Sequence, residues 1–349
     1  MLTFASGRTS CLRRQTNSLF NIIKHKALSL PSILDSVSGD MQRVDALIRL
    51  RLGSDVALIR QVAEHIVAGG GKRLRPAVHL IASSAAGFDG DARFELAAVI
   101  EFIHTATLLH DDVVDESDLR RGRETANAAF GNAASVLVGD FLYSRAFQMM
   151  GTINSMRVME VMAEATNTIA EGEVLQLLNI RDPQVDEARY LEVIHRKTAK
   201  LFEAATRLAG VMAGVSPEVE SGLARYGKHL GTSFQLIDDV LDYSGDAGAT
   251  GKNVGDDLAE GKPTLPLIYA MRAGTPAQAD LIRDAIVKGG REDFAGVIAA
   301  INATGALDYA RAAARREADA ARMAIRGLPE SAAKATLMGL ADYSVVRET

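Results

Sequence analysis

Two acidic clusters each place three aspartates within a little more than one helical turn. The first is Asp111-Asp112-Val113-Val114-Asp115 and the second is Asp238-Asp239-Val240-Leu241-Asp242. Residues four apart share one face of a helix, so each cluster would set two carboxylates side by side, where like charges repel without a compensating cation. Carboxylate oxygens are preferred ligands of Mg²⁺, which proteins often share with substrate phosphates. The clusters therefore predict a magnesium site for a phosphorylated ligand.

Other interpretations of the acidic clusters remain possible. A single cluster could be a solvated helix end, but both clusters follow an apolar run, which favours a functional pair. Zinc is disfavoured because no histidine or cysteine lies at ligand spacing. His110 precedes Asp111, but a histidine-aspartate phosphohydrolase would need further metal-binding histidines.

Basic residues recur close to the acidic clusters along the chain. The segment Gly69-Gly70-Gly71-Lys72-Arg73-Leu74-Arg75-Pro76 is a glycine turn leading into a helix start, which suits phosphate binding. It lacks the residue order of a Walker A loop. Any one basic group could be a solvated helix face. Further basic residues follow along the chain: Arg120, Arg121, Arg123, Lys197, Lys200, Lys252 and Lys262. Because these basic residues alternate with the aspartate clusters, we predict two bound diphosphates, one bridged by metal and one held by cationic side chains.

Composition narrows the class of protein. The chain has 349 residues, a net charge of −5 and 48% hydrophobic residues, so a general nucleic-acid surface is disfavoured. Its one cysteine, Cys11, excludes an internal disulfide framework. No apolar run is long enough to span a membrane. Because strand patterns are missing, we expect an all-α fold.

Helical periodicity begins near residue 41 and predicts one catalytic domain over residues 41–349. Residues 1–40 are expected to form a basic, disordered N-terminal extension. Residues 1–34 contain no acidic side chain, as in an organellar transit peptide. We expect a cytoplasmic protein; an organellar location is the alternative if residues 1–34 are a transit peptide. The candidate helices span residues 41–67, 76–87, 91–115, 133–150, 155–179, 186–213 and 217–243.

The order of these motifs resembles that of the trans-isoprenyl diphosphate synthases. The resemblance runs from about residue 41 to the C-terminus, and within the family Glu101–Asp118 and Phe130–Met150 are most similar to bacterial octaprenyl diphosphate synthases. It implies a single helical bundle with a central apolar tunnel. The motifs that carry it are residues 69–76, 108–115 with Arg120-Arg121, Lys197-Thr198, 234–242, 251–253, 255–257 and 261–266.

The resemblance also implies a role for each motif residue. The catalytic group would be Asp111, Asp112, Asp115, Asp238, Asp239 and Lys197, with Asp242 in support. Mg²⁺, as three ions with substrate bound, would be held by Asp111, Asp115 and Asp238. The allylic diphosphate would be neutralised by Arg120, Lys197, Lys252 and Lys262, with Thr198 and Gln235 beside its reacting carbon. Isopentenyl diphosphate would be bound by Lys72, Arg75, His104 and Arg121. A homodimer is also implied.

Ala106 and Thr107 lie about one helical turn before Asp111 and would set product length. Both are small, where short-chain family members often carry aromatics, so we predict a long product, about C40, built on an allylic primer such as farnesyl diphosphate. It would serve as a quinone side chain. For Ala106, simple close packing of two helices is the alternative. For the whole chain, the alternatives are a class I terpene cyclase, disfavoured by the low aromatic content, and a non-catalytic prenyltransferase subunit, disfavoured by two intact clusters.

Overall fold

The computed structural model describes residues 30–120, 122–244 and 255–347. These residues are almost entirely helical, and a two-stranded hairpin pairs Leu119 with Glu124. The predicted all-α class is confirmed. In chain order the elements are α1 (Leu30–Leu34), a 3-10 turn (Asp35–Val37), α2 (Ser38–Arg51), α3 (Ala57–Ala68), α4 (Leu74–Ala85), α5 (Ala92–Val114), β1 (Leu119–Arg120), β2 (Arg123–Glu124), α6 (Ala126–Phe130), α7 (Asn132–Ile153), α8 (Met156–Asn179), α9 (Glu187–Ile194), a π-turn (His195–Ala199), α10 (Lys200–Ala213), α11 (Pro217–Ser244), α12 (Asp256–Ala259), α13 (Leu265–Ala273), α14 (Pro276–Lys288), α15 (Phe294–Thr304), α16 (Ala306–Ala324) and α17 (Ala332–Val346).

The N-terminal boundary lies earlier than the sequence indicated. The sequence predicts that residues 30–40 belong to a disordered extension, but they are helical, and Leu30, Ile33 and Val37 are buried in the main core. Their apolar spacing of three and four residues is that of a helix face. The folded part of the chain therefore includes at least residues 30–40.

The long helix predicted over residues 41–67 is two helices. α2 ends at Arg51 and α3 begins at Ala57, and the Ser54 hydroxyl accepts a hydrogen bond from the Val56 amide at 3.2 Å. Glycine followed by serine and aspartate is typical of a turn, and at Gly53-Ser54-Asp55 this local preference ends the helix.

Helix α5 forms the centre of the bundle. Its residues from Leu96 to Ile103 are all buried, as expected for a helix that is apolar on every side. It packs between α4 and α7. The first aspartate cluster is thereby held at the end of a deeply buried helix.

Close packing of α10 and α11 positions the second cluster. A Cβ atom at Gly227 would lie 2.2 Å from the Phe202 carbonyl oxygen, and one at Gly231 would lie 2.8 Å from the Cα of Ala199. Only glycine permits this approach, because any side chain would meet backbone atoms. The second cluster lies about two turns after Gly231 on α11, which packs against the π-turn.

The helix predicted over residues 186–213 contains a π-turn. The turn spans His195–Ala199 and joins α9 to α10 without a break. Such single wide turns are frequent at functional sites. This one contains Lys197 and Thr198, both predicted site residues.

None of the helices in the described part of the chain is long and apolar enough to cross a membrane.

Candidate active site

The middle aspartate of the first cluster differs from its neighbours. Asp112 is buried, and its Oδ1 accepts hydrogen bonds from Arg120, at 2.8 Å from Nε and 2.7 Å from Nη2. Burial raises the pKa of Asp112, and the hydrogen bond from Arg120 opposes that shift. Arg120, predicted to neutralise the allylic diphosphate, is therefore bound to Asp112 in this structure and fixes the hairpin to α5.

Asp111 and Asp115 each contact a lysine from another part of the chain. The Lys197 Nζ lies 3.2 Å from Oδ2 of Asp111, and the Lys262 Nζ lies 3.1 Å from Oδ2 of Asp115. Burial lowers the pKa of Lys262, but the charges of Asp115 and Glu260 outweigh it and raise the pKa. Burial likewise lowers the pKa of Lys197, but the charges of Asp111 and Glu173 outweigh it and raise the pKa. Both lysines therefore stay protonated and balance the carboxylates.

These contacts also bring the two clusters together. Lys262 follows α12, whose residue Asp257 donates its backbone amide to Oδ2 of Asp242 at 3.2 Å. Lys262 in turn donates its backbone amide to the Asp257 carbonyl at 2.8 Å. A continuous chain of contacts thus runs from the second cluster through Lys262 to Asp115, and we call the space between the clusters the cleft.

The second cluster repeats the division seen in the first. Asp239 is buried, where Tyr190 donates a hydrogen bond to Oδ2 and Gln235 donates to Oδ1 at 2.8 Å. Burial raises the pKa of Asp239 to about 7, the charges of Asp238 and Asp242 add to the shift, and the two hydrogen bonds oppose it. Asp238 is half-exposed and accepts a hydrogen bond from Arg347 at 2.7 Å.

Thr198 and Gln235 form a connected network beside the cleft. Thr198 donates its hydroxyl to Oε1 of Gln235 at 3.1 Å, and Gln235 continues to Asp239. A pocket with about 590 Å³ of empty space is lined by these three residues together with Lys197 and Lys262. The predicted neighbours of the allylic carbon are thus brought together.

Two of the basic residues predicted to bind isopentenyl diphosphate, Lys72 and Arg75, lie in the loop before α4 and in α4 itself, respectively. Arg75 Nη1 lies 3.0 Å from Nε2 of His104, and its guanidinium stacks 4.5 Å from the Phe202 ring centre. Lys72 is exposed. A second pocket, with about 690 Å³ of empty space, is lined by His104 but not by Lys72 or Arg75; Arg73 lies there instead. Arg73 pairs with Glu101 at 2.5 Å.

Two predicted site residues, Arg121 and Lys252, lie outside the described residues.

The predicted chain-length residues lie in different surroundings. Ala106 is fully buried in the main core, whereas Thr107 is half-buried and donates its hydroxyl to the His104 carbonyl at 2.8 Å. Below Ala106, Phe102 and Ile103 are also buried. Ala106 is therefore the position where a larger side chain would intrude into apolar space.

Several residues of the cleft had no role in the sequence analysis. Glu173 on α8 pairs with Lys197 at 2.5 Å, and burial raises its pKa to about 7. Burial also raises the pKa of Asp257 well above its usual range. Asp257 lies in the motif 255–257, so the sequence could have identified it as a cleft residue. Glu173, Tyr190 and Arg347 have no such local signal, because only the packing of the helices brings them to the cleft.

Close packing of α8 against the π-turn positions Lys197. A Cβ atom at Gly172 would lie 2.6 Å from the Lys197 backbone nitrogen and 2.9 Å from the carbonyl carbon of Arg196. Backbone atoms cannot yield as a flexible side chain can. The two elements would have to separate if residue 172 carried a side chain.

We therefore expect Gly172→Ala to destabilise the fold by about 1–3 kcal/mol and to lower activity by displacing Lys197. Denaturant unfolding measures the first effect. Gly151→Ala is the matched control, since Gly151 lies in α7 with nothing within 4 Å of its Cβ position; it should be neutral or slightly stabilising. Equal stability of both variants would contradict this packing account.

The side chains of the cleft fit a magnesium requirement. Within residues 30–120, 122–244 and 255–347, no three acidic, histidine or cysteine side chains converge closely enough to hold an ion alone. Mg²⁺ usually takes one or two carboxylates and completes its shell with water and substrate phosphate. Asp111, Asp115 and Asp238 each pair with a cation and are less buried than the middle aspartates, so they supply carboxylates of that kind.

The helical bundle with two aspartate clusters across one cleft is that of a magnesium-dependent prenyltransferase. The family model for polyprenyl synthetase matches residues 56–302, and the chain belongs to this family. It is 56% identical over 322 residues to an octaprenyl diphosphate synthase of Escherichia coli (strain K12), covering 92% of this chain and 100% of that protein. It is 47% identical over 316 residues to an all-trans-nonaprenyl-diphosphate synthase (geranyl-diphosphate specific) of Rhodobacter capsulatus, covering 90% and 97%.

Solved structures agree with this assignment. A polyprenyl synthase from Caulobacter crescentus CB15, complexed with calcium and isoprenyl diphosphate, superposes with a TM-score of 0.89 at 46% identity. The match covers 93% of this chain and 100% of that structure.

Proposed function

We propose that this chain is a long-chain trans-polyprenyl diphosphate synthase. It would add isopentenyl diphosphate units to an allylic diphosphate such as farnesyl diphosphate and release a product of about C40, octaprenyl diphosphate. The observation that carries the proposal is the pairing of Asp111 with Lys197 and of Asp115 with Lys262 across the cleft. Carboxylates for metal and cations for phosphate thus lie within one hydrogen-bond distance of each other.

The proposed chemistry depends on charge placed before the reaction begins. Three Mg²⁺ ions, held by Asp111, Asp115 and Asp238, would supply Lewis-acid stabilisation of the leaving diphosphate. Lys197 and Lys262 would bind its remaining oxygens. Fixed cations aimed at developing negative charge lower the barrier because they need no rearrangement during the reaction.

The carbon that becomes cationic needs a different environment. Thr198 Oγ1 and Gln235 Oε1 are oxygen atoms at the wall of the pocket beside Lys197. Their partial negative charge would stabilise the allylic cation until the isopentenyl double bond attacks it. The cation formed by that attack would then lose a proton to the departing diphosphate, which restores a double bond in the lengthened chain. Isopentenyl diphosphate would be held during that attack by four residues: Lys72, Arg121, His104 and Arg75, which is hydrogen-bonded to His104.

We also propose that two copies of the chain associate through α7 and α8. Val174, Leu177 and Leu178 lie on one face of α8 and are more than half exposed, and Leu137 on α7 is 65% exposed. Apolar side chains at spacing i, i+3 and i+4 form a stripe that favours burial against a second surface. Light scattering after size-exclusion chromatography would show a dimer, and Leu177→Asp together with Leu178→Asp would shift it towards monomer.

Release of diphosphate tests the proposed reaction. Purified protein with Mg²⁺ should release diphosphate only when farnesyl diphosphate and isopentenyl diphosphate are both present. Release from farnesyl diphosphate alone would indicate cyclisation or hydrolysis, and no release under any condition would indicate a non-catalytic subunit.

A further inference from the structure

Glu173 shares Lys197 with a predicted magnesium ligand. The Lys197 Nζ lies 2.5 Å from Oε2 of Glu173 and 3.2 Å from Oδ2 of Asp111. All three side chains are less than one-third exposed. One lysine thus bridges two carboxylates, one on α5 and one on α8.

Magnesium binding would change this arrangement. A carboxylate that coordinates Mg²⁺ no longer attracts a neighbouring ammonium group, because the metal charge repels it at this distance. Before the diphosphate is bound, Lys197 without a second anion would either leave the cleft or compete with the metal for Asp111. Glu173 is the second anion, and it lies closer to Nζ than Asp111 does.

The position of Glu173 is fixed by rigid elements. Gly172, its neighbour, is the point where α8 comes so close to the π-turn that a Cβ atom would lie 2.6 Å from the Lys197 nitrogen. The next residue along α8 therefore lies directly beside the Lys197 side chain. Helix and π-turn both hold their residues more precisely than a loop would.

We propose that Glu173 is a positioning residue that holds Lys197 at the allylic diphosphate once Mg²⁺ occupies Asp111. This inference rests on the proposed role of Lys197 in the condensation reaction. Glu173 need not touch substrate; it acts through Lys197. Its charge keeps the ammonium group in the cleft and frees Asp111 for the metal.

The test compares Glu173→Gln with Glu171→Gln. Glu171 lies on the same helix and pairs with Arg196 at 2.6 Å, so it matches residue type, helix and ion pairing without contacting Lys197. One readout is the Mg²⁺ concentration at half-maximal thermal stabilisation in the presence of inorganic pyrophosphate, at pH 8. The other is KM for each substrate at saturating Mg²⁺.

Glu173→Gln should raise the Mg²⁺ concentration at half-maximal stabilisation about tenfold. A tenfold change in affinity corresponds to the loss of about one hydrogen bond to a charged group. The substitution should also raise KM for farnesyl diphosphate severalfold at saturating Mg²⁺ and leave KM for isopentenyl diphosphate unchanged. If the substitution only reduced the negative charge of the cleft, the increase in KM would disappear at saturating Mg²⁺. If it misplaces Lys197, the increase in KM should remain. Glu173→Asp should restore part of both effects, and Glu171→Gln should match the wild type.

Two failures can be told apart with Lys197→Ala as a reference. If Lys197→Ala shows effects but Glu173→Gln matches the wild type, the role of Glu173 alone is overturned. If Lys197→Ala also matches the wild type, the proposed role of Lys197 fails and that of Glu173 fails with it. Equal increases in both KM values would indicate a merely structural role and would also overturn the proposal.

Discussion

Replacing Asp111 with asparagine should lower kcat/KM for condensation by about 1000-fold or more, equivalent to about 4 kcal/mol of transition-state stabilisation. Asparagine keeps the size of the side chain but cannot supply the charge that Mg²⁺ and the leaving diphosphate need. Lys197 keeps Glu173 as a partner, so no charge is left buried without compensation. We therefore expect a melting temperature close to that of the wild type. Steady-state kinetics over a range of Mg²⁺ concentrations measures the loss.

The control for this change is Asp308→Asn. Asp308 lies on α16 with its side chain 89% exposed, so the substitution removes one negative charge from a side chain that makes none of the cleft contacts described above. Activity should be unchanged. A loss of less than about tenfold for Asp111→Asn, with the protein fully folded, would be incompatible with a metal ligand at this position.

Replacing Ala106 with phenylalanine should shorten the product from about C40 to C15–C20. Ala106 is fully buried about one turn below Asp111, and a benzyl group there would close the path of a growing apolar chain. Overpacking the core should cost about 1–3 kcal/mol of stability. Product length, determined by chromatography of labelled products, is independent of how much folded enzyme is present.

Ala97→Phe separates chain-length control from overpacking. Ala97 is also fully buried in α5, but it lies nine residues before Ala106, about two and a half turns, and so on the opposite face. It should cost similar stability without shortening the product. If Ala106→Phe yields less product of unchanged length, like Ala97→Phe, the steric account of chain length is wrong.

Local patterns were sufficient for the fold class and the placement of the aspartates. Spacing i, i+4 after an apolar run predicted that both clusters end buried helices, and α5 and α11 do so. Helix periodicity is local in sequence, so the chain itself records it. The family resemblance then predicts that these helices form one bundle, and it also predicts Mg²⁺ as cofactor and diphosphates as substrates.

Tertiary contacts within the cleft could not be predicted in this way. The sequence does not show that the middle aspartate of each cluster is buried, nor that Arg120 is bound to Asp112. Lys197 and Glu173 are 24 positions apart and meet only because α8 packs closely against the π-turn. Contacts of this kind depend on how whole helices pack, and a window of a few residues contains no record of them.

Two differences in bounds, one within a predicted helix and one at the start of the fold, have local explanations. The interruption at Gly53-Ser54-Asp55 is masked in the sequence because apolar residues on either side continue the helical period. Residues 30–40 resemble the extension because the segment before them is basic and acid-free, yet their apolar spacing is that of a helix. In both cases a property averaged over many residues, helical periodicity or charge composition, masks the pattern of a few residues.

Mass spectrometry of the products formed from farnesyl diphosphate, isopentenyl diphosphate and Mg²⁺ tests the central claim most directly. The account predicts a series of intermediates that differ by one five-carbon unit and accumulate at C40, and no products when Mg²⁺ is removed by chelation. A cyclic C15 hydrocarbon, or a series that stops at C20 in the wild-type protein, would contradict it.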